Sequence, residues 1–178
     1  SAVDWYVWTD ADGTEDVLQL NDTAASAAWN SGTYGSNANA TGFSNYGWAL
    51  SPYVKMLSYC FASVENYSKV GAYTGNGNAD GAFVYTGFRP AYVMVKRTDS
   101  TNNWTINDST RTPYNEITGS SSTLYADSTS AESSLGTNVD FLSNGFKART
   151  TGAHRNASGG TYIYLAFAEF PFKYSNAR

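Results

Sequence analysis

Few residues in this sequence are of a type and spacing that could do chemistry. The single histidine, His154, lies in "TGAHRNASGG". A Ser-His-Asp arrangement would need an activated serine facing it, yet no Gly-x-Ser-x-Gly elbow occurs to supply one. His154 therefore reads as a solvated loop residue. Glycoside hydrolysis needs two carboxyl groups roughly 5 to 10 Å apart, and the chain has five glutamates. Glu65 and Glu169 fall at nearby positions of two similar segments, while Glu116 and Glu132 lie in polar stretches. Glu169 is out of phase with Ala166 and Ala168, which would let it face a groove; solvent exposure or an ion pair is the plainer reading. No catalytic residue is assigned, and the chain reads as non-enzymatic.

Two binding patterns remain. "DADGTED" (10–16) places Asp10, Asp12 and Asp16 around Gly13, the hard oxygen donors and glycine turn that Ca²⁺ favours. The full loop signature needs a glutamate at its twelfth position, where this chain has Asn21, so the competing reading is a polar hairpin tip. No other cofactor is suggested. Tyr34, Phe43, Tyr46, Trp48 and Tyr53 lie in or beside Gly/Asn-rich loops with Asn37, Asn39 and Asn45. Flat aromatic faces beside amides suit sugar recognition. Tyr34, Asn45, Tyr46 and Trp48 are accordingly the candidate glycan contacts, against the alternative that such rings plug the ends of the fold.

Composition bounds the rest. Aromatic residues make up 16% of the 178 and charged residues only 15%, with a net charge of −4. No basic patch offers a footprint for nucleic acid, and no apolar run is long enough to cross a membrane as a helix. Cys60 is the only cysteine, which forbids an internal disulfide or a cysteine-cluster metal site; it reads as a small buried residue. The expected setting is extracellular or on a particle surface, with no signal peptide remaining at Ser1.

The elements that must position these residues read as strands. The clearest runs are Trp5–Trp8, Asp16–Leu20, Val54–Val64, Ala82–Thr86, Ala91–Arg97, Trp104–Asn107, Val139–Leu142 and Thr161–Phe170, all rich in β-branched and aromatic residues. Stretches 30–42, 117–123 and 150–160 carry loop chemistry. Only 22–29 and 128–135 suggest a helical turn. Residues 75–81, "GNGNADG", read as a turn whose glycines and asparagines supply positive φ. Arg89-Pro90 then launches Ala91–Arg97, whose alternation suits a strand with one buried face. Many short strands with glycine-rich punctuation predict an all-β, antiparallel sandwich.

The chain also echoes itself. "DWYVWTD" (4–10) resembles "NWTINDS" (103–109), "FSNYGW" (43–48) resembles "LSNGF" (142–146), and 54–70 resembles 162–176. The offset is 99 residues at Trp5/Trp104 and at Asn45/Asn144, and 106 at Phe61/Phe167. Matches that keep their order predict a degenerate duplication. Residues 1–70 form a half repeat packing on a complete repeat, 71–178, within one compact domain. A half repeat leaves a sheet edge that another chain can pair with.

"CFASVENYSKVGAYTGNGNADGAFVYTGFRPAYVMVKRTD", followed by "DFLSNGF" and "TYIYLAFAEFPFK", resembles a repeated domain of bacteriophage tail-fibre and virion-surface proteins. The resemblance covers 54–173 closely and 4–53 as the preceding half repeat. It implies a sandwich of jelly-roll or concanavalin-like type, with no catalytic residues. It also implies a virion location and homo- or hetero-oligomeric partners, a trimer among them. Host surface polysaccharide is a further partner that this setting suggests, and a free-standing carbohydrate-binding module is the alternative reading.

Overall fold

The computed structural model describes residues 4–28, 57–111, 115, 122–132 and 139–170, together with the backbone of two strands at 36–39 and 42–45. Thirteen strands are present among them: β1 (Tyr6–Thr9), β2 (Asp16–Gln19), β3 (Ala27–Ala28), β4 (Ser36–Asn39), β5 (Gly42–Asn45), β6 (Ser68–Thr74), β7 (Phe83–Tyr85), β8 (Pro90–Arg97), β9 (Thr105–Asp108), β10 (Leu124–Tyr125), β11 (Val139–Leu142), β12 (Gly145–Ala148) and β13 (Thr161–Ala168). Every pairing is antiparallel. No helix occurs among the described residues, so neither 22–28 nor 128–132 forms the helical turn their composition suggests.

The centre is a five-stranded sheet in the order β10-β9-β8-β13-β6. β13 pairs with β6 from Thr161↔Thr74 to Phe167↔Ser68, and with β8 on its other side. One face carries Val93, Val95, Tyr162, Tyr164 and Ala166, packed against Val84, Val139, Phe141 and Phe146 of the sheet β11-β12-β7. This is the core of an antiparallel β-sandwich. Its middle is aromatic: Tyr73 stacks on Tyr162 at 5.0 Å, and Phe146 meets Tyr164 edge-on at 5.3 Å. Each such pair adds about 0.5–1.5 kcal/mol beyond the area it buries.

The opposite face of the central sheet is covered too. There Ile163 and Trp104 are buried against Leu18, with Val7, Ala11, Leu20 and Met94 around them. Val7 and Leu18 face each other across the β1–β2 pairing, so that hairpin forms a third layer. β8 is thus buried on both faces, where the sequence suggested one: Val93 and Val95 on one face are buried, and Lys96 on the other has no exposed surface at all.

Two further expectations are corrected. Residues 57–63 form no strand, and Leu57, Tyr59 and Phe61 are all exposed. Alternating apolar residues set which way side chains point but do not supply a partner strand. Cys60 lies in that segment and is exposed, not buried. Its counterpart in the echo, Ala166, is fully buried in β13.

Candidate functional site

The loop 75–81 is not a free turn. Asn156, with no exposed surface, sits at its centre. Its carboxamide oxygen accepts the Asn76 N–H at 2.9 Å. Its nitrogen donates to Asn76 Oδ1, the Asn78 carbonyl and the Thr150 carbonyl at 2.7–2.8 Å. One buried side chain thereby ties two loops together through both its donor and its acceptor atoms. The glycines divide their work: Gly77 takes the positive φ (+68°), while Gly75 and Gly81 allow close backbone approach. A Cβ at Gly81 would lie 2.5 Å from the Ala148 carbonyl oxygen.

His154 belongs to this region and is half-buried, not the solvated loop residue its surroundings suggested. Burial first, and then the neighbouring Arg155 guanidinium, push its pKa down to about 4, so it is neutral at pH 7. Arg155 is itself buried, and its Nε and Nη2 have no hydrogen-bond partner among the described residues. Tyr73 and Tyr162 brace the same loop through bonds to the Arg155 and Ala153 carbonyls at 2.8 and 2.7 Å.

Two of the candidate carboxylates are held in ion pairs. Glu169 meets Arg89 at 2.8 Å, and Glu132 meets Arg111 at 3.5 Å. Glu65 lies in the turn before β6, and Glu116 falls outside the described residues. At the hairpin tip between β1 and β2, Asp12 Oδ1 accepts both the N–H and the hydroxyl of Thr14, and the Asp10 carbonyl accepts the Gly13 N–H. Among the described residues no three His, Cys, Asp or Glu side chains come together as metal ligands. Asp10 and Asp12 lie in the turn between β1 and β2, and Asp16 opens β2. Tyr34, Tyr46 and Trp48 lie outside the described residues. Asn45 ends β5, described as backbone only.

The most built feature is the contact between the N-terminal hairpin and the central sheet. The Trp104 indole N–H donates to the Gln19 carbonyl at 2.8 Å, while its ring is buried with Leu18 and Ile163. Lys96 Nζ donates to the Thr23 and Asn102 carbonyls at 2.7 and 2.5 Å, with its charge 6.0 Å from the Trp104 ring centroid. Ser26 and Asn102 add backbone bonds to Thr98 and Thr23. Burial lowers the Lys96 pKa to about 8, against the opposing pull of Asp127 and Asp22.

The two hairpins that meet here also carry the same internal bonds. In the first, the Leu20 N–H donates to the Trp5 carbonyl, the Trp5 N–H to Asn21 Oδ1, and Asn21 Nδ2 to Asp4. In the second, the Ala126 N–H donates to the Trp104 carbonyl, the Trp104 N–H to Asp127 Oδ1, and Asn103 Nδ2 to Asp127. Val7↔Leu18 in one matches Ile106↔Leu124 in the other. The amide and the carboxylate have exchanged strands while the bond between them is kept. The two tryptophans differ in setting: Trp104 is buried and Trp5 is half exposed. Trp5 borders a cleft with Leu20, Asn21 and Ala126.

The fold and this contact define a β-sandwich whose central sheet carries a second, hairpin-built layer on its far face. The chain belongs to the family described as DUF7483, a domain of unknown function, which matches residues 1–171. No curated protein and no solved structure matches it.

Proposed function

We propose that the chain is a non-enzymatic structural module of a larger assembly, at the surface of a bacteriophage virion in a tail fibre or decoration layer. The observation that carries this reading is the pair of like hairpins docked in series. Trp104 of one is seated on the second strand of the other through its ring and its N–H. Units that stack by repeating one contact give extended structures from nearest-neighbour interfaces. Trp5 holds the position in the first hairpin that Trp104 holds in the second, and it leaves that contact open to a neighbouring copy. The resemblance of 54–173 to phage surface proteins supplies the virion setting, and the like hairpins support a degenerate duplication. The Glu169 and Glu132 ion pairs favour a structural over a hydrolytic role for those carboxylates.

The test is native mass by light scattering across a range of concentrations, for the wild-type chain and for Trp5→Glu. A defined homo-oligomer, a trimer or larger, that Trp5→Glu dissociates without unfolding is the expected result. A wild-type chain that stays at 19.2 kDa at every concentration sinks the assembly reading.

A further inference from the structure

The geometry points to a binding site for a neutral saccharide in the hollow between the turn before β6 and the end of β7. The loop aromatics that composition singled out are not part of it. This inference stands apart from the assembly reading, since a sugar can occupy the hollow whether or not copies associate. The hollow measures about 380 Å³, and its lining includes Glu65, Asn66, Lys69, Tyr85, Thr86 and Gly87. It lies where the edge of the central sheet, β6, meets the edge of the outer sheet, β7.

Three observations carry the assignment. The first is Tyr85, with 65% of its surface exposed although it sits on a strand of the sandwich. Phe83 projects from the same outer face of β7, 47% exposed, so the strip is aromatic and open. A flat ring with one polar tip gives large contact area at small entropic cost.

The second is the state of the polar groups. Among the described residues, the side chains of Glu65, Asn66, Lys69 and Tyr85 have no hydrogen-bond or ion-pair partner. The other solvent-reachable basic groups among the described residues are committed: Arg89 to Glu169, Arg97 to Asp99, Arg111 to Asp108 and Glu132, and Lys147 and Arg149 to Asp80. The hollow therefore offers an acceptor-only carboxylate, a donor-only ammonium and an amide that does both. The two charges cancel. Sugar hydroxyls are each donor and acceptor and match this set, whereas a uronic acid would meet Glu65 and a polyamine would meet Lys69.

The third is that both walls are fixed in advance. Val64 N–H donates to the Ser68 carbonyl, and the Tyr67 and Ser68 N–H groups return to the Val64 carbonyl. Asn66 takes the left-handed φ of 58° that such a turn asks of it. Opposite, the Thr86 and Gly87 N–H groups both donate to the Asn144 carbonyl, and the Thr86 hydroxyl donates to the Phe88 carbonyl at 2.6 Å. A site held by backbone bonds loses little freedom on binding.

The experiment is an NMR titration of ¹⁵N-labelled full chain with maltohexaose, cellohexaose and mannohexaose, with hexagalacturonate as the acidic comparison. At least one neutral hexaose is expected to shift the amides of Asn66, Lys69, Tyr85 and Gly87, with a Kd of about 1 mM. Tyr85→Ala, at an exposed position that leaves the fold intact, should weaken binding about tenfold or more. Tyr85→Phe, which keeps the ring, should stay within about twofold, and Lys69→Met should lose about threefold. Three outcomes overturn the proposal: no response to any neutral hexaose, binding indifferent to Tyr85→Ala, or a preference for hexagalacturonate.

Discussion

Lys96 shows how a single side chain can report on burial. Its ammonium is held by two backbone carbonyls, with no carboxylate in contact, and it has no exposed surface. Removing a cation from water disfavours its charged form, and the pKa falls to about 8. Between that value and the ordinary 10.5 the unfolded chain holds this proton and the folded chain has released it. Where the unfolded state binds more protons, stability rises with pH. Lys96 should therefore add about 2 kcal/mol of stability between pH 8 and pH 10. Above pH 10 the slope turns over, because burial holds the hydroxyls of Tyr73, Tyr92, Tyr162 and Tyr164 above their ordinary range. The folded chain then keeps protons that the unfolded chain loses. Urea unfolding at intervals from pH 7 to pH 11 gives the profile, and Lys96→Met should flatten the rise. A wild-type profile with no rise between pH 8 and pH 10 would show that Lys96 reaches water in the folded state.

At the level of elements, the loop 75–81 is held by Asn156 and by close backbone contact. Gly81→Ala would place a methyl group 2.5 Å from the Ala148 oxygen and 2.6 Å from Asn156 Nδ2, neither of which can withdraw without breaking the clamp. Gly13 makes the control: its φ is +89° but nothing lies within 4 Å of its added Cβ. Gly13→Ala should cost about 1 kcal/mol through φ alone, and Gly81→Ala about 2–3 kcal/mol through overpacking, both measured by urea denaturation. Equal costs would mean that the clamp yields. The sequence marks this stretch as glycine-rich turn chemistry, yet it assigns every glycine to positive φ, and only Gly77 takes it. Strands β7, β8, β11 and β13 are legible because β-branched and aromatic runs are bounded by turn residues. β6 is not, since Gly71 interrupts its pattern and strand glycines count against a strand. In the structure Gly71 faces the Tyr164 ring, which fills the space where a Cβ would go. The β4–β5 hairpin is equally hidden, because "SNAN" and "GFSN" pair by backbone and carry loop-type side chains. Of the saccharide hollow, only Glu65 is singled out by sequence, and for a different role. Tyr85 reads as an ordinary strand residue until both sheet edges are in place.

For the whole molecule, the question is whether the N-terminal hairpin is an ornament on the sandwich or part of one cooperative unit. Leu18 and Trp104 come from segments far apart in sequence and are buried together with Ile163 of the central strand. The indole bond to Gln19 and the Lys96 bonds to Thr23 and Asn102 tie the same layers. Because β8 and β13 contribute side chains to the cores on both faces, loosening one face must loosen strands that hold the other. Leu18→Ala removes a buried aliphatic group and should cost about 2–4 kcal/mol. Trp104→Phe keeps most of the ring but loses the bond to Gln19, and should cost about 1 kcal/mol. The two side chains share one contact, so the double variant should depart from additivity by about 0.5 kcal/mol or more. Unfolding should remain a single transition when followed by tryptophan fluorescence and by far-ultraviolet circular dichroism. An early transition confined to the N-terminal layer, with Leu18→Ala leaving the later one unmoved, would instead make the hairpin a separable attachment. Series docking would then rest on a contact too weak to transmit order from one copy to the next.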